Sequence, residues 1–187
     1  MLQKLGSFLL DILQTVVLAL SIFVISYLFV LQPHQVRGSS MYPNFENDEY
    51  LLTDKISYRL RTPERGEVIV FKAPPSEPCA QEECEYIKRI IALPGETINI
   101  SENRYYVNSV QLKENYLPLG TSTEPGAILS PGRTIKLEDD EYFVSGDNRT
   151  YSRDSRAFGP IKQNSFVGKA WLRYWPMSKL GLIPKTE

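Results

Sequence analysis

A single histidine, His34, limits the hydrolytic chemistry open to this 187-residue chain. A Ser-His-Asp or Cys-His arrangement would have to be built around that one residue, which stands beside Gln35 at the end of a long apolar run. A histidine so placed is better read as a capping or interfacial residue. One His with two Cys makes no recognisable zinc ligand set, so no metal and no cofactor are expected. The remaining way to activate a hydroxyl is a neutral lysine amine, and two segments supply the parts. The first, Arg37-Gly38-Ser39-Ser40-Met41-Tyr42-Pro43, follows the apolar run; the second runs from Glu85-Tyr86-Ile87-Lys88-Arg89 to Leu93-Pro94-Gly95-Glu96. If 86–93 is a strand, alternation puts Tyr86, Lys88, Ile90 and Ala92 on one face and Arg89 on the other. Lys88 then points into apolar surroundings, where burial depresses a lysine pKa of about 10.4 by as much as about 3 to 5. A depressed Lys88 could take a serine proton. A strand lysine that snorkels to water has the same pattern, and spacing alone leaves both readings open.

These segments need a scaffold. Thirteen Pro and eleven Gly punctuate short runs rich in Val, Ile, Tyr and Phe, the composition of strands separated by turns. Strands are expected at 50–53, 67–72, 86–93, 97–100, 105–112, 133–137, 142–145 and 170–175. The fold class is therefore mainly β, with antiparallel sheets and no long helix beyond the N-terminal one. No charged residue occurs from Ile12 to Gln35, and a helix of that length crosses a hydrocarbon core of about 30 Å. The run lacks a small-x-small end, which favours a retained anchor over a cleaved leader. The expected organisation is a short N-terminus at 1–11, a transmembrane helix at 12–35 and one β-rich domain at 36–187, with a smaller inserted β region at about 97–140. Lys and Arg number 21 against 22 Asp and Glu, so no basic field gathers phosphates and no nucleic-acid partner is expected. Only Lys4 precedes the span, whereas Arg37, Lys55, Arg59, Arg61 and Arg65 follow it. Simple charge counting would keep the later part inside, but the rule weakens for large translocated domains.

Taken together, the segments resemble the bacterial type I signal peptidases. The family's nucleophile motif stands here as Ser40-Met41-Tyr42-Pro43. The next motif looks like Asp48-Glu49-Tyr50-Leu51-Leu52-Thr53-Asp54-Lys55, and a third like Arg65 to Lys72 followed by Tyr86-Ile87-Lys88-Arg89 and Leu93-Pro94-Gly95-Glu96. The last runs from Gly146-Asp147-Asn148-Arg149 through Tyr151-Ser152-Arg153-Asp154-Ser155-Arg156 to Gly159. Four ordered motifs over most of the chain are highly specific, whereas any one alone would read as a turn.

The resemblance implies a Ser/Lys serine endopeptidase, single-pass in the cell membrane or an equivalent energy-transducing membrane. Its N-terminus would be cytoplasmic and its catalytic domain on the outer side, where it would remove signal peptides from exported preproteins. Ser40 is the implied nucleophile and Lys88 the general base; Ser152 is implied to orient the amine, and Asp154 with Arg156 to support the site as an ion pair. The Ser40 N–H is the implied oxyanion donor. Gly38 stands where some members carry a serine that adds a second donor, and Asn47 where the family often has Gly. Val36, Met41, Phe45, Tyr86 and Ile87 match residues that line shallow pockets for small substrate side chains. The implied partners are signal peptides and the lipid bilayer. Cys79 and Cys84 lie close enough in sequence to bridge and are equally compatible with free thiols. Two rival readings are a membrane-tethered β module that binds without cutting and a self-cleaving Ser-Lys regulator. The latter resembles soluble proteins with a DNA-binding helical domain where this chain has its apolar span.

Overall fold

The computed structural model describes residues 2–78 and 84–186. The chain opens with a 28-residue helix, α1 (Leu2–Phe29). Its section Gly6–Tyr27 is long and apolar enough to cross a membrane, by length and composition, and its apolar window is not buried against the rest of the protein. The sequence predicts a helix reaching Gln35, but α1 stops at Phe29 and Leu31–Gln35 forms a strand, β1. Pro33 explains the correction. It has no N–H to donate within a helix and biases Gln32 toward extended backbone, while an edge strand tolerates it. β1 is such an edge, paired antiparallel with β2 (Tyr50–Asp54) from Leu31↔Asp54 to Gln35↔Tyr50. The helix therefore feeds directly into the sheet that carries the site.

The remaining elements are a four-residue helix α2 (Ser57–Leu60), β3 (Val68–Lys72), β4 (Glu85–Ala92), β5 (Thr97–Ser101), β6 (Arg104–Val107), β7 (Val110–Gln111), β8 (Thr134–Lys136), β9 (Glu141–Ser145), a second four-residue helix α3 (Ser155–Phe158), β10 (Ile161–Lys162), β11 (Phe166–Trp175) and β12 (Gly181–Leu182). The large sheet runs β1-β2-β11-β3-β4-β9-β10, with β12 added on β11. A smaller sheet runs β7-β6-β5-β8. Every pairing in both is antiparallel, so the fold is mainly β as the composition implies.

Two details depart from the strand pattern read from sequence. The single strand expected at 105–112 is split into β6 and β7 by Asn108 and Ser109, whose φ values of 50° and 65° make a two-residue hairpin turn. Asn tolerates this left-handed backbone, and Ser follows it without the Gly that would have signalled the turn. β11 starts four residues before the expected 170, and its irregular register against β2 and β3 lets one long strand pair on both sides. Three apolar clusters fill the interior. Val36, Met41, Phe45, Leu51, Val68, Ala170 and Ile183 pack at the β1 end of the large sheet. Ile69, Phe71, Ile90, Tyr142, Val144 and Ile161 form its centre. Ile91, Ile98, Tyr105, Leu129, Leu137 and Phe143 join the two sheets.

Candidate active site

Lys88 lies in the middle of β4, held in register against Ile69 of β3, and is only 4% exposed. Its Nζ is 2.7 Å from Ser40 Oγ and also donates to the carbonyl of Ile87 at 3.0 Å. The Tyr86 ring, on the same face of the strand, lies with its centroid 5.4 Å from Nζ. Burial pushes the amine pKa down to about 8, against the opposing fields of Asp154 and Asp147. An amine so placed loses its proton far more readily than one in water, which is the property a general base requires.

Ser40 stands in the turn after Val36, and its backbone is tied to the loop that follows β9. Asn148 donates from its N–H to Ser40 O and from its side-chain amide to Ser39 O, both at 3.0 Å. Gly146 allows this approach, because a Cβ there would lie 2.3 Å from Ser40 O and 2.2 Å from Ser152 Oγ. On the other side, Gly38 takes a φ of 85° and donates its N–H to Asn47 Oδ1 at 2.8 Å. A serine at position 38 would meet no neighbour but would pay for left-handed backbone. Asn47 thus supports the Ser40 turn through its side chain, and the positive φ of that loop falls on Asp48 instead.

Asp154 and Arg156 pair at 2.8 Å through both Nε and Nη2. Asp154 also accepts from Ser145 Oγ and the Gly146 N–H, each at 3.0 Å. Burial alone would raise the Asp154 pKa, but the Arg156 guanidinium and the Gly146 N–H outweigh it and hold the carboxyl below its usual range. The Ser152 hydroxyl is buried beside Asp154, whose carboxyl it helps hold below its usual pKa, and the bonds of Lys88 go to Ser40 and Ile87.

An open cleft of about 400 Å³ passes over Ser40 and Lys88 and along Val36, Tyr86 and Ile87. Met41 and Phe45, also expected to line pockets, are 1% and 2% exposed and pack behind that wall in the core. Of the two cysteines, Cys84 is disulfide-bonded, whereas Cys79 lies outside the described residues.

Residues 9–175 match the family described as signal peptidase, peptidase S26. The chain belongs to that family. It is 36% identical over 174 residues to the probable signal peptidase I-2 of Synechocystis sp., covering 93% of this chain and 77% of that one. It is 38% identical over 142 residues to signal peptidase I V of Bacillus subtilis, covering 72% and 80%. A crystal structure of a signal peptidase I from Enterococcus faecalis matches with a TM-score of 0.47 at 30% identity, over 58% of this chain and 97% of that one.

Signal peptidase motifs account for Ser40, Lys88, Asp154 and Arg156, but sequence reasoning missed the charges that lock the surrounding loops. Arg89, on the opposite face of β4 from Lys88, is 2% exposed and holds Asp147 through Nε at 2.9 Å and Nη2 at 2.6 Å. Asn44 donates to the same carboxylate at 2.8 Å, joining the segment after Ser40 to this pair. Arg149 is equally buried, pairs with Glu114 of the segment after β7, and donates to Gly146 O at 3.0 Å. The only available signal was that a strand buried on both faces with an arginine on one of them requires a counter-charge.

Gly146 carries the first prediction. Gly146→Ala is expected to destabilise the domain by about 1 to 3 kcal/mol through overpacking and to reduce turnover by displacing Ser40. Thermal unfolding and turnover of one preparation check this, and unchanged turnover would mean that the loop yields without moving Ser40.

Proposed function

We propose that this signal peptidase is a membrane-anchored endopeptidase that cuts exported preproteins after small-x-small residues, using Ser40 as nucleophile and Lys88 as general base. The observation that carries the reading is the 2.7 Å contact between a buried lysine amine and a serine hydroxyl at the floor of an open cleft. In its neutral form Nζ accepts the Ser40 proton as Oγ attacks the scissile carbonyl carbon. The tetrahedral adduct collapses with loss of the C–N bond, and the proton passes from Nζ to the departing amine. Lys88 then deprotonates a water that attacks the acyl-enzyme, the ester bond breaks, and Ser40 recovers its proton. The Ser40 N–H serves the oxyanion, with Gly38 providing no side-chain donor. Ser152 offers its buried hydroxyl oxygen as a further acceptor for the amine. Asp154 and Arg156 keep the loop beneath it in place.

An extended peptide placed along Val36, Tyr86 and Ile87 sends alternate side chains into the cleft, and the buried bulk of Met41 and Phe45 behind the wall keeps those pockets shallow. Helix α1 serves as the single membrane anchor, with its N-terminus cytoplasmic and residues 36–187 on the outer side. The test is cleavage by the detergent-solubilised full chain of a preprotein with an Ala-x-Ala junction, read by the N-terminus of the product. Cutting directly after the junction, blocked by Ala→Phe at the residue preceding the cut, is expected. A folded protein that leaves the preprotein intact would remove the proposal.

A further inference from the structure

At the end of the cleft away from the dyad, the two walls are tied together by charge. His34 of β1 and Glu85 of β4 belong to strands that are not neighbours in the sheet, yet His34 Nε2 lies 2.8 Å from Glu85 Oε2. The other ring nitrogen is 2.9 Å from Thr53 Oγ1 on β2, so the imidazole is fixed from both sides. The two side chains are 13% and 30% exposed and both line the cleft. His34 is five residues beyond the last residue of α1, so this is the end of the cleft nearest the membrane-crossing helix. Glu85 is three residues along β4 from Lys88, about 10 Å in an extended strand. With the imidazole neutral the pair carries one negative charge and with it protonated none; in neither state is it net positive. Arg153, farther along the cleft wall, is paired with Glu77 at 2.6 Å.

We propose that His34 and Glu85 form a strap across the membrane-side end of the groove that disfavours an acidic substrate residue at the fourth or fifth position before the cut. The inference rests on the function proposed above. A preprotein's apolar segment precedes its cleavage site and shares the membrane with α1, so the residues before the cut run toward the strap. An extended peptide whose cut bond lies at Ser40 and Lys88 brings its fourth residue level with Glu85, where a carboxylate meets the Glu85 carboxylate, while Lys72, opposite Glu85 in register, and Arg37 on the cleft wall are exposed to solvent and screened. A lysine there gains what an aspartate loses.

The test uses the detergent-solubilised full chain and peptides with an Ala-x-Ala junction carrying Lys, Asn or Asp at the fourth or the fifth position before the cut. The readout is the Lys-to-Asp ratio of kcat/KM, which a bracing role would leave unchanged whatever happened to absolute rates. The parent is expected to favour Lys by about 5-fold, the effect of a half-exposed charge contact. Glu85→Gln should bring the ratio near one, Glu85→Lys should invert it, and His34→Gln should raise it by uncovering the carboxylate. A ratio near one in the parent, or one that stays fixed across the Glu85 variants, overturns the inference while leaving the peptidase reading in place. No cleavage of any peptide by the parent removes both.

Discussion

Lys88→Met is expected to lower turnover by about four orders of magnitude and, at neutral pH, to make the protein more stable than the parent. The two effects share one cause. In the unfolded chain the amine keeps its proton up to about pH 10.5, whereas in the folded protein burial lowers that value to about 8. Between those values the unfolded state binds more protons, so stability rises with pH across that window. Below pH 8 both states are protonated and the folded protein carries the whole cost of a buried ammonium, about 3 kcal/mol. Methionine removes that cost and loses the hydrogen bonds to Ser40 and to the Ile87 carbonyl, together worth about 2 kcal/mol, for a net gain of about 1 kcal/mol. Unfolding of parent and variant from pH 6 to pH 10 should show the variant ahead at low pH and the gap closing as pH rises. In the parent, kcat/KM should climb through pH 8 as the amine becomes neutral. Ser40→Ala should match the loss of turnover without the pH-dependent gain in stability. A parent whose rate is flat from pH 6 to pH 9 would sink the assignment of Lys88 as the base.

How much of this was legible beforehand depended on the range of the interaction. Lys88 was placed by alternation along a strand that does exist, with Tyr86 on its face as the pattern required, whereas its cross-strand partner Ile69 was outside what alternation along one strand could give. The motif around Ser40 was readable because residue types and spacing survive where chemistry constrains them. β1 was not readable, since Leu-Gln-Pro-His-Gln has neither strand propensity nor alternation and becomes a strand because β2 offers it an edge. The same limit hid the Arg89–Asp147 and Arg149–Glu114 pairs. Their partners are separated by 58 and 35 positions, and a charged residue is assigned to solvent unless something identifies its partner. His34 shows the limit most directly: a lone histidine beside an apolar run resembles an interfacial residue, and only the tertiary fold brings Glu85, four strands away in the sheet order, to it.

Asp154→Ala is expected to destabilise the domain by about 3 to 5 kcal/mol, the cost of leaving a buried charge without its partner. Arg156 is 5% exposed, and its remaining acceptors are the carbonyls of Glu124 and Ser152 at 3.1 and 3.3 Å, which do not neutralise it. For a domain of this size the loss corresponds to a drop in Tm on the order of 10 °C. Turnover should fall as well, because the Gly146 N–H loses its acceptor at the start of the loop whose Asn148 holds Ser40. The surviving activity carries a more specific signature. Asp154 is the strongest of the carboxylates that raise the pKa of Lys88, and Arg156 lowers it, so deleting Asp154 alone keeps the arginine's field and leaves only Asp147 and Glu77 against it. The rise of kcat/KM should then move to lower pH than in the parent, even as its plateau drops. In the double variant Asp154→Ala with Arg156→Met the buried positive charge is gone, so stability should partly recover and the rise return toward higher pH. A single variant with unchanged Tm would show that the pair does not hold the loop. A lowered plateau with no displacement of the profile would show that Asp154 acts on Ser40 through the loop without reaching the charge of Lys88.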